Sequence, residues 1–183
     1  MSKFKVTLCA LAISMVSAYA GAEITLPPGQ GTVTFTGELT DETCTVDPTS
    51  KDIKVVLPTI GTETLAAAGA QGGSTTFPIK VTDCPVGVTE IAAHFEAIDQ
   101  TKYNPATGNL INQDPAPDAA TNVEVRLFET DGTVLPVGST GSSFPVDETT
   151  NTGTMTYMGA YYATGATTVG TVTAVVQYTL AYP

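Results

Sequence analysis

Thr171-Val172-Thr173-Ala174-Val175-Val176-Gln177-Tyr178-Thr179-Leu180-Ala181-Tyr182-Pro183 carries two interleaved sets of side chains. Successive side chains of a strand point to opposite sides of a sheet. Ala174, Val176, Tyr178, Leu180 and Tyr182 therefore share one face, and Thr173, Val175, Gln177, Thr179 and Ala181 the other. A final strand this regular, followed by no polar tail, is either the last strand of a finished sandwich or one whose edge waits for a neighbour. An exported protein has to manage such an edge, and supplying a partner strand is one way to do so.

A second alternating stretch, Gly31-Thr32-Val33-Thr34-Phe35-Thr36-Gly37-Glu38-Leu39-Thr40, lies toward the other end. Val33, Phe35, Gly37 and Leu39 fall on one face, and Thr34, Thr36, Glu38 and Thr40 on the other. Before it, Gly21 to Gln30 contains Pro27, Pro28 and Gly29, which rule out a regular internal strand and predict a flexible extension. An apolar face interrupted by a glycine fits a strand inserted into a groove that narrows at one point. An edge strand of the same domain, bulged at Gly37, is the other reading of these residues.

Between the two stretches the chain is rich in Thr, Val, Gly and Ala and has no Trp. Period-two alternation predicts strands near 32–46, 53–57, 74–83, 89–97, 122–129, 154–164 and 170–182. Asn104-Pro105, Thr107-Gly108-Asn109, Asp131-Gly132 and Asn151-Thr152-Gly153 mark turns. Seven short strands with polar, Gly-containing connections point to an antiparallel β-sandwich of immunoglobulin type. Thr62 to Ala70 is helix-like for at most a turn or two, and Asp99 to Thr121, with Pro105, Pro115 and Pro117, reads as a long surface excursion. No internal repeat or second domain is visible.

The start of the chain sets the compartment. A charged stretch, Met1 to Lys5, precedes an apolar run from Val6 to Val16 and the small residues Ser17, Ala18 and Ala20, the order of a secretory signal peptide over residues 1–20. Cleavage is expected after Ala20, with Ala22 the alternative. The apolar run is too short to span a bilayer. Cys9 leaves with the signal, so the mature chain keeps Cys44 and Cys84, and two cysteines in an exported chain normally pair. A free thiol pair or a metal site is disfavoured, because neither has a second Cys or His nearby at ligand spacing.

Removing Lys3 and Lys5 from the 7 basic residues leaves 5 against 18 acidic ones, a net charge of −13. Such a surface repels phosphate backbones and anionic lipid, which argues against nucleic-acid or membrane-surface partners. Catalytic groups are scarce too. His94 is the only histidine and sits in the strand-like run Ile91 to Ile98, where a core or solvated role is expected. Asp41, Glu42 and Asp47, and Asp114 with Asp118, lack the dense spacing of a calcium loop. Tyr157, Tyr161 and Tyr162 stand at strand spacing and are expected in core and interface ahead of sugar stacking. No cofactor, metal or enzyme activity is expected.

With Gly31-Thr-Val-Thr-Phe-Thr-Gly37 leading into Cys44, the second cysteine in Val81-Thr82-Asp83-Cys84, the aromatic stretch Tyr157 to Tyr162 and the penultimate Tyr182, the chain resembles the major fimbrial subunits, or pilins, of the Gram-negative chaperone–usher pathway, of the type 1 and P pilus kind. The resemblance implies an incomplete immunoglobulin-like β-sandwich that lacks its last strand and is completed by donor-strand exchange. It implies a division into residues 21–40, an N-terminal extension or donor strand, and 41–183, the pilin domain. Val33, Phe35, Gly37 and Leu39 would form the donor strand, with Gly37 at the register position, and Cys44–Cys84 would join the first two strands. Val176, Tyr178, Leu180 and Tyr182 would border the groove and meet a periplasmic chaperone. Pro183 replaces the Gln often found last.

The partners implied are neighbouring copies of the chain in a head-to-tail polymer, the chaperone and an outer-membrane usher. The expected function is a structural subunit of the shaft of an extracellular fimbrium, exported through the periplasm and supporting adhesion. A minor or adaptor pilin is the alternative within the family, and a self-contained secreted β-sandwich binding protein the alternative outside it.

Overall fold

The computed structural model describes residues 28–37, 39 and 43–183. The signal peptide at 1–20, both cleavage sites, and Glu38, Thr40, Asp41 and Glu42 lie outside the described residues. Two units divide the chain, one ending at Leu39 and one running from Thr40 to Pro183.

In the second unit the strands are β1 (Thr45–Val46), β2 (Gln71–Thr82), β3 (Glu90–Glu96), β4 (Tyr103–Asn104), β5 (Asn109–Ile111), β6 (Val123–Phe128), β7 (Val134–Leu135), β8 (Ser139–Thr140), β9 (Phe144–Asp147), β10 (Thr152–Ala163) and β11 (Gln177–Ala181). They form one curled antiparallel sheet with the path β11-β3-β9-β10-β6-β5-β4; β2 adds to β10, β1 to β2, β7 to β6 and β8 to β3. Alternation explains which faces meet. Phe77, Ile79 and Val81 of β2, Ile91, Ala93 and Phe95 of β3, and Met155 and Tyr157 of β10 are buried together, with Leu127 and Val146, in one core.

Tyr157 is the centre of that core. Its ring lies 5.0 Å from Phe95, edge-on, and 5.6 Å from Phe144, geometries that favour aromatic pairs. The phenol has left water, yet it is satisfied: it accepts the Ala93 N–H at 3.0 Å. Gly153 of β10 is required by packing, since a Cβ there would stand 2.6 Å from Ile91 Cδ1. A smaller cluster of Leu65, Val123 and Ala163 extends the interior.

The predicted strands at 74–83, 89–97, 122–129 and 154–164 correspond to β2, β3, β6 and β10. Three expectations are corrected. Of the strand predicted at 32–46, only Thr45–Val46 forms a ladder among the described residues, and the strand predicted at 53–57 has none. Alternation specifies faces, whereas a strand also needs a neighbour to accept its N–H and C=O groups. The excursion at 99–121 is partly interior: the β4–β5 hairpin buries Asn109 and Leu110. Its turn depends on Gly108 at φ 71°. The helix-like segment is one 3-10 turn, Thr62–Leu65.

Candidate functional site

Among the described residues the last strand has a neighbour on only one side. β11 pairs with β3 and ends the sheet path among the described residues. The β3 carbonyls of Ala93 and Phe95 are taken by Gly141 and Gly138, so it is residues 92, 94 and 96 that turn toward β11. Their partners are Ala181, Thr179 and Gln177. In an antiparallel pair alternate residues face alternate edges, which sends the N–H and C=O groups of the even-numbered residues, Ala174 through Tyr182, to the open side.

Below that edge lies apolar surface. Val176, Tyr178, Leu180 and Tyr182 are half-buried against the main core, as are Ile53, Val88 and Phe144. Ala174 and Val172 continue the same face. Across from them runs the chain between Cys44 and Ile60, in the opposite direction. Cys44 N–H donates to the Tyr182 hydroxyl at 2.8 Å, the Tyr178 hydroxyl donates to the Ser50 carbonyl at 2.7 Å, and Ile60 and Val172 pack on the same smaller cluster.

Tyrosine side chains, not backbone bonds, thus connect the two margins. Residues 53–60 make no backbone–backbone hydrogen bond among the described residues. A ladder would hold the margins ~4.8 Å apart; here phenols bridge an apolar channel, with the open row of β11 on one side and, on the other, residues 53–60, of which Val56 gives its carbonyl to the Thr75 hydroxyl at 3.4 Å. Burial holds the Tyr178 phenol above its usual pKa.

Cys44 and Cys84 form a disulfide across 40 residues, both buried, at the head of this channel. In the first unit, residues 31–37 have no regular secondary structure, and Val33, Phe35 and Leu39 are 79, 91 and 101 % exposed. A Cβ on Gly37 would meet nothing within 4 Å.

Other sequence candidates serve the scaffold. His94 is half-exposed, with Nδ1 2.8 Å from Thr140 Oγ1. Asp47 accepts the Thr49 N–H and Asp114 that of Ala116. Tyr162 lies under the Arg126 guanidinium at 3.8 Å, and Tyr161 packs on the smaller cluster. The channel margin at Ser50, Ile53 and Ile60 was not anticipated. Ser50, 2 % exposed, is held by donation from Lys80 N–H to its Oγ, and no local pattern announces a buried serine.

An open edge over an apolar channel, in a chain that also carries an exposed alternating segment, is joined by a direct match: the profile of the family described as fimbrial protein covers residues 33–183. The chain belongs to the fimbrial protein family. The major fimbrial subunit SMF-1 of Stenotrophomonas maltophilia is 40% identical over 171 residues, spanning 89% of this chain and 98% of that protein. The type-1 fimbrial protein A chain of Escherichia coli is 37% identical over 182 residues, 97% of this chain and 95% of its own. In three dimensions, a chain from a solved chaperone–usher pilus, determined to explain rod uncoiling, matches with TM-score 0.60 at 20% identity, over 87% of this chain and 99% of its own.

The fimbrial subunit is therefore a structural part of a bacterial cell-surface filament and not an enzyme. Its fold is the immunoglobulin-like sandwich expected from the sequence, left open beside its last strand.

Proposed function

We propose that this fimbrial subunit is the major, shaft-forming subunit of a chaperone–usher pilus, and that it polymerises by donor-strand exchange. Residues 21–40 of one copy act as the donor and residues 41–183 of the next as the acceptor. The observation that carries this reading is the one-sided β11, whose open edge borders an apolar channel in a chain that also exposes Val33, Phe35 and Leu39. In the assembled fibre those three side chains fill the channel, each contributing roughly 1.5 to 3 kcal/mol. Gly37 passes its narrowest point.

Both backbone rows find partners when the strand enters, about ten bonds in all on the β11 side. Each copy gives a strand forward and takes one from behind, so the contact does not close and a filament grows. Before assembly a periplasmic chaperone covers the same edge, meeting Val176, Tyr178, Leu180 and Tyr182, and an outer-membrane usher hands the subunit to the growing end. The family resemblance supplies these two partners, and the hazard of a bare edge gives the chaperone its task.

The test is complementation. The mature chain lacking residues 21–40 is unfolded in urea with and without a synthetic peptide of residues 30–42. Strong stabilisation by the peptide, and much less by its Gly37→Asn form, is the expected result; a domain indifferent to both peptides sinks the reading.

A further inference from the structure

The edge of the last strand that faces away from the channel is occupied further than β3 reaches. β3 ends opposite Gln177, and beyond that point a loop takes over. Asn112 uses the whole capacity of its amide there: Nδ2 donates to the carbonyls of Ala120 and Thr171, each at 2.9 Å, and Oδ1 accepts the N–H groups of Thr173 at 2.9 Å and Asp114 at 3.1 Å. An amide can make four such bonds and no more.

Around it the same loop binds the backbone directly. Gln113 N–H donates to the Thr173 carbonyl at 2.7 Å and Ala120 N–H to the Thr171 carbonyl at 3.0 Å, while the Thr173 hydroxyl donates to Asp114 Oδ2 at 3.1 Å. Ala119 and Thr171 form an isolated parallel bridge. Gly170, at φ 150°, fits only because it has no Cβ; one would collide with the Asp118 carbonyl and the Ala120 nitrogen. Odd-numbered residues 171 and 173 thus bond the loop on the edge where 177, 179 and 181 bond β3.

We propose that Asn112 is a positioning residue for strand exchange: it stands in for the missing length of β3 and holds Thr171–Val176 extended while the channel is empty, so that the far end of the channel is formed before a donor arrives. This rests on the strand-exchange reading above. Without the Asn112 amide, the bond to the Thr173 N–H and one of the two bonds to the Thr171 carbonyl are lost, only the Gln113 and Ala120 N–H groups hold the strand from behind, and more of the ordering falls to the incoming strand. Ordering costs backbone conformational entropy, and when it must happen during capture it slows capture.

The experiment uses the full mature chain as monomer, wild type and Asn112→Ala, with two readouts. Hydrogen exchange reports the Thr173 amide and, as a control, amides of the β3–β10 core; stopped-flow fluorescence reports uptake of a labelled peptide of residues 30–42. In Asn112→Ala the Thr173 amide loses protection, the core amides keep theirs, and peptide uptake slows about tenfold or more. If Asn112→Ala does not fold, Thr173→Val removes only the Asp114 contact and gives a smaller slowing in the same direction. Unchanged uptake with a deprotected Thr173 overturns the positioning role. No uptake by the wild type, with Thr173 protected, overturns the strand-exchange reading itself.

Discussion

Cys44 and Tyr182, 138 residues apart, are joined by a 2.8 Å hydrogen bond from the Cys44 N–H to the tyrosine hydroxyl. It ties the disulfide end of the channel to the end of the last strand, so the two margins are held at one end by a phenol that spans the space between them.

Tyr182→Phe keeps the ring and deletes the acceptor. A lost hydrogen bond of this kind costs about 1 kcal/mol, more where the N–H stays shielded from water. Urea unfolding should show a lower midpoint with an unchanged slope, since the surface exposed on unfolding is the same. A midpoint equal to wild type would mean that water replaces the hydroxyl at no cost.

Removing the disulfide acts through the unfolded chain. Closing a 40-residue loop is worth roughly 4 kcal/mol in the chain-entropy model. The double variant Cys44→Ser, Cys84→Ser should lose much of that in denaturant unfolding. Reduced wild-type protein should lose a similar amount, which separates the bond from the side-chain change.

Glu124 on β6 is 5 % exposed, and its carboxylate accepts from three side chains: Asn104 on one oxygen at 2.7 Å, Thr107 and Asn109 on the other at 2.7 and 2.8 Å. Arg126 reaches it only through Asn109. Glu124→Gln forces an NH2 group against a donor, so about 1 to 3 kcal/mol is lost. Hydrogen exchange should place the loosening in the β4–β5 hairpin.

Acid sensitivity follows from short turns. The Thr49 hydroxyl, then its N–H, lowers the pKa of Asp47, and backbone N–H groups do so first for Asp99, Asp114, Asp131 and Asp147. Depressed folded-state values mean that this stability is complete above the unfolded pKa, about 3.9, and disappears as pH falls through the folded values. For Asp147, which accepts from Thr149 and Thr150, Asp147→Asn should be less stable than wild type at pH 7, the gap closing below about pH 4. Working at 0.15 M salt screens the repulsion among the many surface carboxylates. A gap constant down to pH 2 would show that the charge is irrelevant.

Much of the fold is visible in the residues because it follows from local alternation. The buried faces of β2, β3 and β10 are where period two places them, and Ala174 to Tyr182 present the expected face to the interior. The strand expected at 53–57 failed for the complementary reason: Ile53, Leu57 and Ile60 are half-buried, but nothing beside them supplies a ladder. The β4–β5 hairpin was hidden by its polarity, since Asn109 is interior only because Glu124 and Arg126 satisfy it.

The cysteine pair, the poverty of catalytic groups and the interior face of the last strand were thus set by residue types and spacings alone, which act over a few neighbours. Which edge of the last strand is left open, that Tyr178 and Tyr182 bridge to Ser50 and Cys44, and that Asn112 braces Thr171 and Thr173 were decided only by the tertiary structure. Those partners are 59 to 138 residues apart, and a hydrogen bond between them exists only once the register of the sheet has brought them within about 3 Å of each other.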